Sequence, residues 1–198
     1  MGVPTASLID VTAQPLQRMT IEEWIAYEES HDGRRDLVDG HLVLVQGGTD
    51  KHDTIVTVLF ERLVAPFREQ GCRTYPHTRR VVTPRGDGFY PDLVVRCGTR
   101  TDDLFESAPT WLFEVLSPSN TDTATLRKTV GYLSIPGLEG YVQIDAATED
   151  VVAHIRQDDE WHVADVTGAA LPVGPVVVDF AEVFAQVAAE LHLGDPTM

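Results

Sequence analysis

Basic residues and sulfur are both scarce in this sequence. Fifteen Lys and Arg stand against 31 Asp and Glu, a formal net charge of −16. Non-specific binding to phosphate backbones needs clustered cations, so bulk charge does not carry the chain to nucleic acid. Any such contact requires a local basic strip, or metal ions set against an acidic body. The two cysteines, Cys72 and Cys97, show no CxxC spacing. That gives little support to a disulfide framework or a zinc ribbon, and predicts two reduced, buried thiols in a cytoplasmic protein. No uninterrupted apolar run reaches the ~18 residues of a transmembrane helix, so no membrane partner is expected. The stretch Met1 to Gln14 has neither the basic nor the apolar region of a signal peptide. Internal repeats are absent, as are a Gly-rich phosphate loop, a nucleophile elbow and a zinc-protease helix.

What remains has ordinary globular proportions, with 43% hydrophobic and 23% charged residues, and enough length for one domain with its own core. The reading is a leader at 1–18, a single domain at 19–192 and a short tail at 193–198. Thr20-Ile21-Glu22-Glu23 is a capping box that opens a helix to about Ser30, with Trp24 and Tyr27 on one face. Asp39-Gly40 between Arg35–Val38 and His41–Gln46 signals a hairpin. Ile55, Leu59, Leu63 and Phe67 recur every four residues and predict an amphipathic helix from His52 to Gln70, kinked or ended by Pro66. Strands are expected at about 72–83, 90–96, 110–116, 140–145, 151–156 and 161–166, with loop from Cys97 to Ala108. Helices are expected at about 121–133 and 179–191. Strands outnumber helices without strict alternation. The fold class is therefore α/β of the α+β kind, a mixed central β-sheet flanked by helices.

Two strands carry carboxylates in apolar surroundings. Thr110-Trp111-Leu112-Phe113-Glu114-Val115-Leu116 reads as a central strand buried on both faces, with Glu114 on the face of Leu112 and Leu116. A buried carboxylate must be protonated, paired or bound to a cation; a salt-bridged structural Glu fits the strand as well. Tyr90-Pro91-Asp92-Leu93-Val94-Val95 is a second apolar strand with Pro91 at its start, and Asp92 taken alone could cap a turn. If the strands are neighbours, both acids sit on one shelf. Hard cations such as Mg²⁺ take one or two carboxylates with waters and phosphates, and the Val115 carbonyl offers another oxygen. Lys128, on the following helix with Tyr132 one turn later, is either a solvated lysine or a cation placed to stabilise charge.

These strings resemble the bacterial Uma-type putative restriction endonuclease family of the PD-(D/E)XK nuclease superfamily. The resemblance lies in Tyr90 to Val95, in Glu114-Val115-Leu116-Ser117-Pro118-Ser119, in Lys128 and Tyr132, in Tyr141 to Asp145, and upstream in Arg35 to Leu42 and His52. It implies a restriction-endonuclease-like fold and metal-dependent hydrolysis of nucleic-acid phosphodiesters, DNA first, with Mg²⁺ or Mn²⁺ as cofactor. Asp92 and Glu114 would hold the metal, with the Val115 carbonyl, and Asp36 would approach it. The superfamily lysine normally stands two residues after the Glu, where this chain has Leu116; the family resemblance moves that role to Lys128. His52, Tyr132 and Asp122 would support the site. Three departures stand out: Asp36 is shorter than the family's usual Glu, Ala124 replaces a frequent acid with Asp122 nearby, and Gly140 replaces a frequent Glu.

Arg79, Arg80, Arg85 and Arg96 lie near the Asp92 strand and could form a nucleic-acid strip, or could be scattered solvated arginines. A homodimer would bring two sites to one duplex. Two other readings stay open. One is a degenerate nuclease fold that serves as a protein-interaction or regulatory module, favoured by the acidic surface. The other is a hydrolase of a small phosphoester using the same site.

Overall fold

The computed structural model describes residues 18–45, 47–99, 102–117 and 122–193. The leader expected at 1–18 and the tail expected at 193–198 lie outside the described residues, Arg18 and Leu193 apart. Helix α1 (Ile21–Ser30) starts at the capping box: the Thr20 hydroxyl accepts from Glu23 N–H, and the Glu23 carboxylate accepts from Thr20 N–H. Trp24 drops fully into the core and donates its indole N–H to the Arg35 carbonyl at 2.7 Å. Strands β1 (Arg35–Val38) and β2 (His41–Leu44) form the expected hairpin, with Asp39 and Gly40 at φ 50° and 77°, as a two-residue turn matching strand twist requires.

Helix α2 (Asp50–Glu69) buries Ile55, Leu59, Leu63 and Phe67 on one face. It passes through Pro66 to Glu69, where a kink or stop was expected. Proline costs the helix one hydrogen bond, but only one turn remains beyond it. That turn carries Phe67 into the core, a burial that contributes about 2–3 kcal/mol. The segment 72–83, expected as one strand, is two: β3 (Arg73–Pro76) and β4 (Arg80–Val82). His77, at φ 54°, turns the chain between them and sends them to different sheets.

Short β5 (Gly88–Phe89) and then β6 (Leu93–Arg96) follow. The segment read as loop contains β7 (Phe105–Glu106). Beyond it, β8 (Trp111–Leu116), α3 (Asp122–Leu133), β9 (Gly140–Asp145), β10 (Val151–Gln157) and β11 (Glu160–Asp165) fall close to the expected ranges. A hairpin not expected from the sequence, β12 (Ala170–Val173) with β13 (Val176–Asp179), precedes α4 (Phe180–Leu193).

The six-stranded sheet runs β11-β10-β9-β8-β6-β3, with β8 and β9 parallel and the other pairs antiparallel; a five-stranded sheet runs β2-β1-β5-β4-β7. The architecture is thus α+β, mixed sheets flanked by four helices among the described residues. Alternation along β8 sorts its side chains. Trp111, Phe113 and Val115 join α2 and α4 in one core, while Leu112 joins Tyr132, Tyr141 and Phe89 in another. Glu114 shares the second face, as alternation predicts. No helix among the described residues is long and apolar enough to cross a membrane.

The cysteines overturn one expectation. Cys72 and Cys97 form a disulfide, their Cα atoms 4.2 Å apart. The cause is register: β3 and β6 pair Arg73 with Arg96, so the residues one step outside the ladder face each other. Distance along the chain gave no hint of this, and the pair no longer argues for a reducing compartment. Reducing the bond, or replacing both residues in a Cys72→Ala, Cys97→Ala double variant, is expected to lower unfolding stability by about 2–4 kcal/mol. Urea titrations with and without dithiothreitol measure this, and an unchanged midpoint would refute a stabilising cross-link.

Candidate functional site

The two acids singled out in the sequence meet at the end of the β6–β8 ladder. That ladder pairs Leu93 with Phe113, so Asp92, one step before β6, stands opposite Glu114. Asp92 Oδ2 accepts from Val115 N–H at 2.8 Å. Two imidazoles bracket the same carboxylate: His52 Nε2 lies 3.3 Å from Oδ2 and His77 Nδ1 lies 3.7 Å from Oδ1. Burial works to raise the Asp92 pKa, but these donors and the His52 charge outweigh it and hold the group ionised, below the usual carboxylate range. His52 is perturbed in turn. Burial alone would lower its pKa, yet Asp92 on one side and Asp53, 3.0 Å from Nδ1, on the other lift it to about 9.

Glu114 is almost wholly buried. Its Oε1 accepts from Lys128 Nζ at 3.1 Å and from the Tyr132 hydroxyl at 2.8 Å. Burial, opposed by Lys128 and reinforced by Asp92 and Asp36, pushes its pKa up to about 7. Lys128 also reaches Asp36 Oδ2 at 3.2 Å, while Asp36 Oδ1 accepts from Tyr90 N–H at 2.9 Å. Burial raises the Asp36 pKa against the pull of Lys128. Lys128 itself stays protonated: burial would lower its pKa, but the two carboxylates raise it above the ordinary lysine value.

Lys128 and Tyr132 are one helical turn apart on the inner face of α3. The helix comes this close because residue 131 is glycine; a Cβ there would meet the Phe89 ring at 2.9 Å. Gly140 has a similar reason. Any Cβ at that position would run into the Trp111 ring at 2.1 Å, so the frequent family Glu cannot be accommodated beside Trp111.

These groups line a cleft of about 280 Å³ whose walls include Asp36, Asp92, Glu114, Val115, His52 and Lys128, with Val43, Leu44 and Val45 opposite. Ala124 also lines it. Asp122 opens α3, but its side chain lies outside the described residues. Tyr90, named only as part of its strand, and Arg34 and His77 were not among the expected site residues. The first two look like ordinary polar residues in the sequence, and the third acts only because the chain turns at it.

Three of the four arginines expected as a nucleic-acid strip are engaged within the protein, Arg79 and Arg96 both against Glu106. Arg79 donates to the carbonyls of Asp102 and Asp103, and Arg96 lies 3.2 Å from buried Glu106. Arg80 donates to the Tyr90 hydroxyl at 2.6 Å, and Arg85 is exposed on the β4–β5 turn.

The donor set suits a hard divalent cation. Three acids, buried Asp36 and Glu114 and partly buried Asp92, are balanced by one lysine and His52, so full ionisation leaves surplus negative charge at the cleft. No group of three or more His, Cys, Asp or Glu side chains among the described residues could hold a metal unaided. Two carboxylates and a backbone oxygen, completed by waters and a phosphate, is the Mg²⁺ or Mn²⁺ pattern rather than that of a dedicated protein cage.

Comparison with known proteins agrees with this architecture. The family model for Uma2, putative restriction endonuclease, matches residues 21–187. An uncharacterised protein of Synechocystis sp. is 23% identical over 152 residues, 74% of this chain and 80% of that protein. The crystal structure of a putative nuclease of the DUF820 group from Anabaena variabilis superposes with a TM-score of 0.69 at 18% identity, over 85% of this chain and 99% of that one.

The His52–Asp92 pair has a measurable consequence. In EDTA, the His52 ring is expected to titrate near pH 9 in the wild type and lower in Asp92→Asn, where Asp53 alone opposes the effect of burial. Because the folded pKa is raised, the stabilisation from this pair is complete below pH ~6.5 and fades as pH rises through the folded value. Imidazole NMR titration decides, and identical curves in both proteins would dispose of the ion pair.

Proposed function

The chain belongs to the Uma2 family of putative restriction endonucleases, and from that membership we propose that it is a divalent-metal-dependent nuclease that hydrolyses phosphodiester bonds in DNA. One observation carries the reading: Asp92 and Glu114 stand opposite each other at the end of one ladder, and Lys128 touches Glu114 from the neighbouring helix. Asp92, Glu114 and the Val115 carbonyl would hold Mg²⁺ or Mn²⁺. When bound, such an ion polarises the phosphodiester, makes water more acidic and steadies the leaving oxygen.

The protein's own residues do the rest. Tyr132 and Lys128 converge on Oε1 of Glu114 and fix the rotamer of a carboxylate that would hold the cation. Val115 N–H and His52 do the same for Asp92 and keep it ionised. Lys128 is the one ammonium group lining the cleft. Held protonated between two acids, it places fixed positive charge where negative charge develops on the phosphoryl oxygens, in a site partly shielded from water. Asp36 keeps that lysine in place.

The superfamily position two residues after Glu114 holds Leu116, on the same strand face one step along. A lysine arriving from α3 reaches the same carboxylate from a different element. Roles are therefore assigned by geometry.

Plasmid and single-stranded DNA incubated with Mn²⁺, Mg²⁺ or EDTA test the reading. Cleavage is expected with either metal and not with EDTA. Glu114→Ala and Lys128→Ala are each expected to slow it at least ~100-fold. Cutting that survives Glu114→Ala, or a wild type that binds metal and cuts nothing, would overturn it.

A further inference from the structure

A second chamber, of about 340 Å³, adjoins the cleft across Asp92 and His52; Arg34, His77 and Asp53 line it and do not line the first. Its charge differs in kind. In the first cleft Lys128 is spent on two carboxylates. In the second, Arg34 is exposed and forms no ion pair with a carboxylate among the described residues. Its guanidinium stacks 5.9 Å above the Tyr90 ring and donates through one nitrogen to the His77 carbonyl. The fork's remaining donors suit a phosphate.

His77 is held in the left-handed region, at φ 54°, a conformation that persists in a non-glycine residue only where surrounding contacts impose it. Both its peptide groups are tied. Its N–H donates to the Asp92 carbonyl at 2.8 Å, and its carbonyl accepts from Arg34. The ring, one-third exposed, stands beside that of His52 with centroids 6.1 Å apart. Arg34 thus ties the turn that carries the His77 ring, both line the chamber, and the turn's backbone is anchored to one of the acids of the cleft.

We propose that Arg34 and His77 form a phosphate subsite beside the Asp92–Glu114 pair, one that takes the phosphate of a polynucleotide strand adjacent to the phosphate being cut. This rests on the nuclease reading and names how an acidic protein grips its substrate. A guanidinium with no carboxylate partner among the described residues, lining the chamber next to the cleft, supplies local attraction that a net charge of −16 cannot.

The test uses the full chain and a fluorescently labelled single-stranded DNA oligonucleotide, with binding read by anisotropy in Ca²⁺. Arg34→Ala is expected to raise Kd about tenfold and to flatten the slope of log Kd against log salt by about one. Arg34→Lys keeps a point charge and is expected to fall between. His77→Gly removes the ring while permitting the same φ, and is expected to weaken binding about threefold. In the Arg34 variants, Mn²⁺ affinity by calorimetry should not change. Variants that bind with the wild-type Kd and slope would overturn the subsite, as would a wild type that binds no oligonucleotide.

Hydrolysis separates this from the nuclease reading. Bis(p-nitrophenyl) phosphate has no neighbouring phosphate, so its turnover should be equal in wild type and the Arg34 variants. A wild type that binds DNA through Arg34 but hydrolyses neither substrate keeps the subsite and sinks the nuclease. A wild type that cuts DNA with full activity retained in Arg34→Ala does the reverse.

Discussion

One ammonium group serves two buried carboxylates, and the rest of the site follows from that shortage. Lys128 Nζ lies 3.1 Å from Glu114 and 3.2 Å from Asp36, and its single charge cannot satisfy both while Asp92 stays ionised nearby. Burying acids is tolerable only when they are paired or hydrogen-bonded. The protein meets that condition with fixed donors: Tyr90 N–H on Asp36, the Tyr132 hydroxyl on Glu114, Val115 N–H and His52 on Asp92. Each donor comes from a different part of the chain, so the site exists only once both sheets, α2 and α3 are assembled. On the proposed reading, the negative charge left over after this pairing would attract a cation.

Bringing the lysine in on a helix places demands on distant residues. A lysine on β8 would be set by strand alternation alone. One on α3 requires the helix to sit close against the sheet, and a glycine inside a helix costs about 1 kcal/mol relative to alanine. Gly131 is present because the Phe89 ring occupies the space a side chain would need. Phe89 in turn packs edge-on against Tyr132 at 5.2 Å, and Tyr132 against Tyr141 at 5.1 Å. The aromatic cluster is thus the bearing on which α3 is seated, and it aims both Lys128 and Tyr132 at one carboxylate oxygen.

Much of this was legible in the sequence, and the boundary is physical. The capping box, the Asp39-Gly40 hairpin, the i, i+4 face of α2 and the alternation around Glu114 are local patterns, and each appears in the structure as read. The helix read from His52 to Gln70 does run past Pro66, to Glu69; what holds its last turn, the packing of Phe67, is tertiary. The Cys72–Cys97 bond was not legible, because it depends on strand register. Within the site, Asp92, Glu114, Lys128, Asp36, His52 and Tyr132 were named from the chain and are gathered around one cleft. His77 was missed because its importance is a backbone angle, and Arg34 because nothing in its neighbours marks it out from Arg35. That neighbour is instead tied to Glu28 at 3.2 Å.

The shorter acid at position 36 shows how a departure from family pattern can be read. The carboxylate of Asp36 is fixed at both oxygens, one by Tyr90 N–H and the other by Lys128. A glutamate in its place would carry the carboxylate one methylene further and change both contacts at once. In this chain the third acid acts on the lysine. On the proposed reading, the direct donors for a cation would then be Asp92, Glu114 and the backbone at Val115, a set that would leave several coordination positions to water and phosphate. A site so open at its metal has weak purchase on its substrate through the protein alone. That places more of the burden of substrate binding on cationic side chains at the rim, and among the residues lining the two chambers Arg34 is the arginine in position to bear it.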